Sequence, residues 1–128
     1  MFTKAREIHQ TSIAYSPFVY EEVLAAAGMS YDEIDFVIPH QTSERAIRKC
    51  RERLAQAMGC DAGEWVCTVA DYGNTASTAH FVALHRCLRD RRIKPGDRVM
   101  LAAYASGLVV GVVVFVMDDL AEQYADAH

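Results

Sequence analysis

Apolar positions along this chain alternate between short continuous runs and longer stripes of helical spacing. Phe36-Val37-Ile38 is a compact run bounded by polar and turn residues, and it reads as a buried strand. Ile47, Cys50, Leu54 and Met58 then recur at helical spacing. The same helix carries Arg45, Arg48, Lys49, Arg51 and Arg53 on a basic side and ends at Gly59. Trp65 to Val69 reads as a second strand and Thr75 to Arg89 as a third long helix. Arg98 to Tyr104 and Val109 to Met117 read as two further strands joined by Ala105-Ser106-Gly107. The last run is apolar on both faces, which predicts a central strand in a covered sheet.

Punctuation residues sharpen these boundaries. Ser16-Pro17 has the look of an N-cap and first helical position, followed by Phe18, Val19, Val23 and Leu24, with Gly28 as the stop. Ser30-Tyr31-Asp32-Glu33 has capping-box spacing and predicts a single helical turn. Thr42 is placed to cap the basic helix, with Glu44 in its first turn. Lys94-Pro95-Gly96-Asp97 is a turn signal. Before Ser16, Glu7 to Tyr15 reads as a strand. The chain therefore divides into a segment 1–15, a domain proper over 16–118 and a solvated tail over 119–128. The element order predicts an α/β protein, with a mostly parallel mixed sheet, helices on both faces and a C-terminal β-hairpin.

At 128 residues the chain is large enough for one core and not for two. Its net charge of −4 argues against nucleic acid as a main ligand. The longest apolar run, Leu108 to Met117, is too short to cross a bilayer, and the first residues lack the apolar stretch of a secretory signal. A cytoplasmic protein with no membrane partner is expected. The four cysteines, Cys50, Cys60, Cys67 and Cys87, show no zinc-knuckle or redox-pair spacing, so free and mostly buried thiols are expected.

Two polar residues fall where an open α/β sheet builds its sites, beyond the carboxyl ends of its strands. His40 ends the strand-like run Asp35-Phe36-Val37-Ile38-Pro39-His40-Gln41. It is either a catalytic imidazole or a rim histidine satisfied by backbone. Asn74 lies in Tyr72-Gly73-Asn74-Thr75-Ala76-Ser77. Alone it fits a helix N-cap; together with His40 it could supply a second neutral donor to one oxyanion. Gly107 is either a turn glycine or the source of a backbone N–H aimed at the same oxygen. Arg45 and Arg48 form part of a solvated face or dock an acidic partner. His80 and His85 are spaced unsuitably for a shared ligand face with Cys87, so no metal site is expected. No serine elbow or phosphate-binding loop is present. His-Gln-Thr-Ser occurs at both His9 and His40, and only the second follows a strand.

The stretch from about Ser30 to Asp118 resembles the C-terminal half of β-ketoacyl-acyl-carrier-protein synthase III, within the thiolase-like superfamily. The pieces that carry the resemblance are Asp35 to Gln41, Tyr72 to Ser77, Lys94 to Asp97 and Ser106-Gly107-Leu108, in family order. Thr42-Ser43 stands where the family usually has Ala-Asn, and Tyr104-Ala105-Ser106-Gly107 replaces a glycine-rich loop. The resemblance implies one half of a thiolase-like fold. It implies that His40 and Asn74 are the histidine and asparagine of a Cys-His-Asn triad, with Gly107 in the oxyanion hole and Arg45 and Arg48 at the carrier-protein docking rim. The implied substrates are acyl-coenzyme A and malonyl-acyl-carrier protein, with no cofactor. The nucleophilic cysteine belongs to the N-terminal half, and no cysteine here matches it. The expected partners are therefore that Cys-bearing half or a second subunit, and the acyl carrier protein. A homodimer is expected because this half-fold alone would leave an apolar face uncovered. The alternative is a non-catalytic binding or assembly module that keeps the fold. A self-sufficient hydrolase or thioesterase finds no nucleophile–base pattern here.

Overall fold

β1, Phe36–Ile38, is only three residues long, yet every other layer is referred to it. Asp35 fastens its start: the Asp35 N–H donates to the Arg98 carbonyl at 2.9 Å, and the Arg98 N–H donates to the Asp35 carboxylate at 2.8 Å. β1 pairs in parallel with β2, Glu64–Trp65, on one side and with β3, Arg98–Ala105, on the other. β3 turns back as an antiparallel hairpin into β4, Val109–Val116, giving the order β2-β1-β3-β4. The computed structural model describes residues 5–69, 78–105 and 109–127; side chains are described from Ser16 onward, except at 104, 105 and 109.

Helices cover both faces. α1, Ala5–Ala27, and α2, Glu44–Met58, lie on one side; α3, Ala79–Arg89, and α4, Leu120–Ala127, lie on the other. Successive strand residues point to opposite faces, so Val37 and Ile38 belong to different cores. Val37 joins Met100 and Ala102 of β3, Tyr20 and Leu24 of α1, and Ile47, Cys50 and Leu54 of α2. Ile38 joins Val99, together with Ala83, Cys87 and Leu88 of α3 and Ala121 of α4. The expected mixed, mostly parallel sheet with helices on both faces and a terminal hairpin is what forms. Among the described residues, no helix is long and apolar enough to cross a membrane.

Local signals behave as their chemistry requires. The capping box at Ser30 closes, with the Ser30 N–H donating to Glu33 at 3.2 Å. Gly59 ends α2 in the left-handed region at φ 73. The Lys94 N–H donates to the Asp97 carboxylate at 2.8 Å across the expected turn.

Several expectations are corrected. Residues 5–15 are helical and not the expected strand over Glu7 to Tyr15: α1 runs through them to Ala27, with Pro17 inside the helix rather than at its start. Burial of Tyr20 and Leu24 outweighs the backbone hydrogen bond that Pro17 cannot make. The segment after Asp118 is helix α4 and not a solvated tail, because Ala121 packs into the second core. Ser43 rather than Thr42 caps α2, its hydroxyl accepting from the Ala46 N–H at 3.0 Å. Finally, β4 is an edge strand. Its Val112 and Val114 pack on the first core and Phe115 on the second, while Val113 and Val116 are exposed, so an apolar run on both faces did not require a central position.

β2 is shorter than the expected Trp65 to Val69, and its approach to β1 depends on Gly63. The Gly63 N–H donates to the Ile34 carbonyl at 2.8 Å, and a Cβ at Gly63 would overlap the Asp35 carbonyl. Gly63→Ala is expected to destabilise the fold by about 1–3 kcal/mol, because backbone on both sides must shift. Urea unfolding measures this, and an unchanged midpoint would show that the two strands can separate at no cost.

Candidate active site

Because β1, β2 and β3 are adjacent and parallel, their carboxyl ends share one rim of the sheet. His40, Asn74 and Gly107 each follow one of these strands in sequence. His40 lies among the described residues; Asn74 and Gly107 lie outside them. Arg45 and Arg48 are exposed in the first turns of α2, the helix that follows the His40 loop.

The loop after β1 is held from inside. Pro39 is buried, and Gln41 is completely buried, at 0% exposure. The Gln41 amide donates to the Pro39 carbonyl at 2.9 Å and to the Val66 carbonyl at 3.1 Å. Its oxygen accepts from the Thr68 N–H at 2.8 Å and, more weakly, from the Thr68 hydroxyl at 3.4 Å. Donating to residue 66 and accepting from residue 68 is the bonding pattern of a parallel strand residue placed opposite Cys67. The side-chain amide thus stands in for one more rung of the β1–β2 ladder, beyond the Val66 N–H to Val37 carbonyl bond at 2.8 Å. It fixes the backbone on either side of His40. It also fixes Thr68, from which the chain departs towards Asn74.

His40 itself is half-buried. Beside it stands His80, in the first turn of α3, with ring centroids 5.8 Å apart and planes inclined at 38°. His80 in turn bonds through Nε2 to the Ala102 carbonyl of β3 at 2.6 Å. Lost hydration and, second, the neighbouring His80 ring hold the proton affinity of His40 below its ordinary value. A neutral imidazole still carries one N–H, which suffices to donate a hydrogen bond to a developing oxyanion.

Sequence reasoning assigned no role to Gln41 or His80. Gln41 was visible as a polar residue adjoining a buried strand, where an unpaired amide would be costly. His80 was weighed only against His85 and Cys87 on its own helix, and the ring it meets comes from another element. Among the cysteines, Cys50 and Cys87 are buried, Cys60 is partly buried and Cys67 is exposed. Burial pushes the Cys87 thiol up to about 11, which keeps it protonated and unreactive at neutral pH.

Residues 24–117 match the family model described as 3-oxoacyl-[acyl-carrier-protein] synthase III C terminal. The chain is 35% identical over 111 residues to a β-ketoacyl-[acyl-carrier-protein] synthase III of Sphingopyxis alaskensis, covering 87% of this chain and 33% of that protein. It is 33% identical over 108 residues to the protein of the same name from Rhizorhabdus wittichii, covering 84% of this chain and 33% of that one. The crystal structure of 3-oxoacyl-[acyl-carrier-protein] synthase III from Aquifex aeolicus VF5 superposes with a TM-score of 0.75 at 28% identity, covering 91% of this chain and 36% of that one. The chain thus spans about a third of the length of the curated relatives it matches.

Two outcomes are expected. Gln41→Leu keeps the volume but strips partners from the Val66 carbonyl and the Thr68 N–H. It is expected to cost about 1–3 kcal/mol in denaturant unfolding; a loss near zero would mean the amide is dispensable. The second outcome concerns pH. The unfolded chain takes up a proton on His40 near the ordinary 6.5, while the folded chain refuses it until lower pH. The stability associated with neutral His40 is present above that value and is lost as pH falls from it towards the depressed folded value. His40→Gln is expected to make this acid-side decline shallower, as followed by thermal unfolding between neutral and mildly acidic pH.

Proposed function

The chain belongs to the family of 3-oxoacyl-[acyl-carrier-protein] synthase III C-terminal domains, and from that premise we propose that it supplies the histidine and asparagine of a Cys-His-Asn condensing site. The cysteine comes from an N-terminal half outside this sequence, whether continuous with it or on a separate chain. The substrates are an acyl-coenzyme A and malonyl-acyl-carrier protein. The cysteine thiolate first takes the acyl group and releases coenzyme A. His40 and Asn74 then donate hydrogen bonds to the malonyl thioester oxygen while its carboxylate leaves as carbon dioxide. The resulting enolate carbon attacks the acyl-cysteine carbonyl, with the Gly107 N–H on the oxyanion, and the thiolate departs. A 3-oxoacyl-carrier protein is the product.

The observation that carries this reading is the state of His40. It stands at the carboxyl end of an inner strand, half-buried, with lost hydration lowering its proton affinity, on a loop held by Gln41. Exposed Arg45 and Arg48 offer cationic docking to an acidic carrier protein. Alone, the chain would not catalyse condensation, since covalent catalysis needs the nucleophile. The working assembly is a homodimer of joined halves.

Reconstitution tests the reading. The chain, mixed with or joined to a Cys-bearing N-terminal half, is assayed for 3-oxoacyl product, and light scattering reports the assembly. His40→Ala and Asn74→Ala are each expected to lower turnover about 100-fold or more. A wild-type assembly no faster than His40→Ala would reject catalysis and leave a binding or assembly module.

A further inference from the structure

The family reading leaves His80 without a task, although its ring stands beside His40, the described one of the three candidates that follow the strand ends. We propose that His80 is a positioning residue for His40: anchored on the Ala102 carbonyl, its ring walls one side of His40, setting how that ring faces the rim and opposing a positive charge beside it. The proposal rests on the reading of His40 given above and names a further residue of that site.

The geometry carries the argument. A carbonyl oxygen can only accept, so His80 Nε2 must bear the proton in the 2.6 Å bond to Ala102. That bond survives whether His80 is neutral or charged, and it pins the ring between α3 and β3. Ala102 is itself fully buried, so its carbonyl is a fixed post rather than a surface group. The ring so fixed lies 5.8 Å, centroid to centroid, from His40. His40 is backed on its own loop by Gln41, which is neutral and fully engaged. From α3 it faces His80. Among the described residues, His80 is the charge-bearing group whose field acts on His40, and it acts in the same direction as lost hydration. An imidazole held this way resists becoming imidazolium just as negative charge begins to develop in front of it. Without that restraint, a second proton on His40 would quench the carboxylate it must see leave, and would fix the ring as a cation in the resting site.

The expected size follows from Coulomb attenuation. Two unit charges at this separation in a water-like medium shift a titration by about half a pH unit, and more as water is excluded. The test is NMR titration of the His40 ring in the whole chain, with the resonance identified by its loss in His40→Gln. His80→Gln keeps a donor for the Ala102 carbonyl and removes the ionisable ring. His80→Phe fills the space with neither, and serves if the first variant does not fold. Each is expected to raise the His40 midpoint by about half a unit, with the unfolding temperature recorded alongside to separate this from general loosening. An unchanged His40 midpoint in a folded variant overturns the proposal. The titration needs neither substrate nor partner half. It therefore stands apart from the reconstitution assay: an unmoved midpoint removes His80 and leaves the condensing reading, whereas failed reconstitution removes that reading and leaves the coupling measured. In an active assembly, His80→Gln is expected to move the acid limb of the kcat profile upward by about half a unit or more, which a purely structural role would not do.

Discussion

The Gln41 amide holds together the exits of two strands whose backbone pairing is too short to do so. β1 and β2 share only two register pairs. Beyond them Pro39 has no N–H to offer, and the chain must turn away to start α2. The Gln41 side chain donates to Val66 and accepts from Thr68 at this point, so the ladder gains a rung that the backbone of β1 cannot supply. Because the amide is wholly buried, its four polar contacts are mutually obligatory: removing it leaves buried groups that water cannot reach. Everything on the rim, His40 on one side and the departure towards Asn74 on the other, is referred to that rung.

A second constraint enters from the far side of the sheet. α3 belongs to the layer opposite α1 and α2, yet its first turn brings His80 up to the rim and fastens it to β3. His40 is thereby bracketed by two anchors rooted in different strands, Gln41 in the β1–β2 seam and His80 on β3. This arrangement restricts the ring by packing and by charge at once. Geometry alone would set its direction but leave its protonation to the solvent; charge alone would set its protonation but leave it free to turn.

How much of this was legible depended on the range of each interaction. The strand Phe36 to Ile38, the Ser30 capping box, the Lys94 turn and the Gly59 stop are decided within a few residues, and the sequence shows them. The start of α1 was misread because Ser16-Pro17 has the local chemistry of a helix start, whereas α1 continues through Pro17, and the burial of Tyr20 and Leu24 that holds it is a property of the folded core. β4 was placed centrally because its valines fill both faces; only the sheet order reveals that Val113 and Val116 meet solvent. Among the candidate residues, His40 was visible because its motif is contiguous. The pairing with His80 spans forty positions and two layers, and no local pattern encodes it.

The two influences on His40 do not merely add. Its hydration is already partly lost, and the repulsion from His80 is weakened only by the water that remains. Should a second half close over this rim, that water would leave. Desolvation would deepen, and the same 5.8 Å separation would be felt through a medium of lower dielectric constant. Both changes push the ring towards its neutral form. Covering the rim would thus favour the neutral ring, which keeps one N–H to donate, and a hydrogen bond from it would act through a medium of lower dielectric constant.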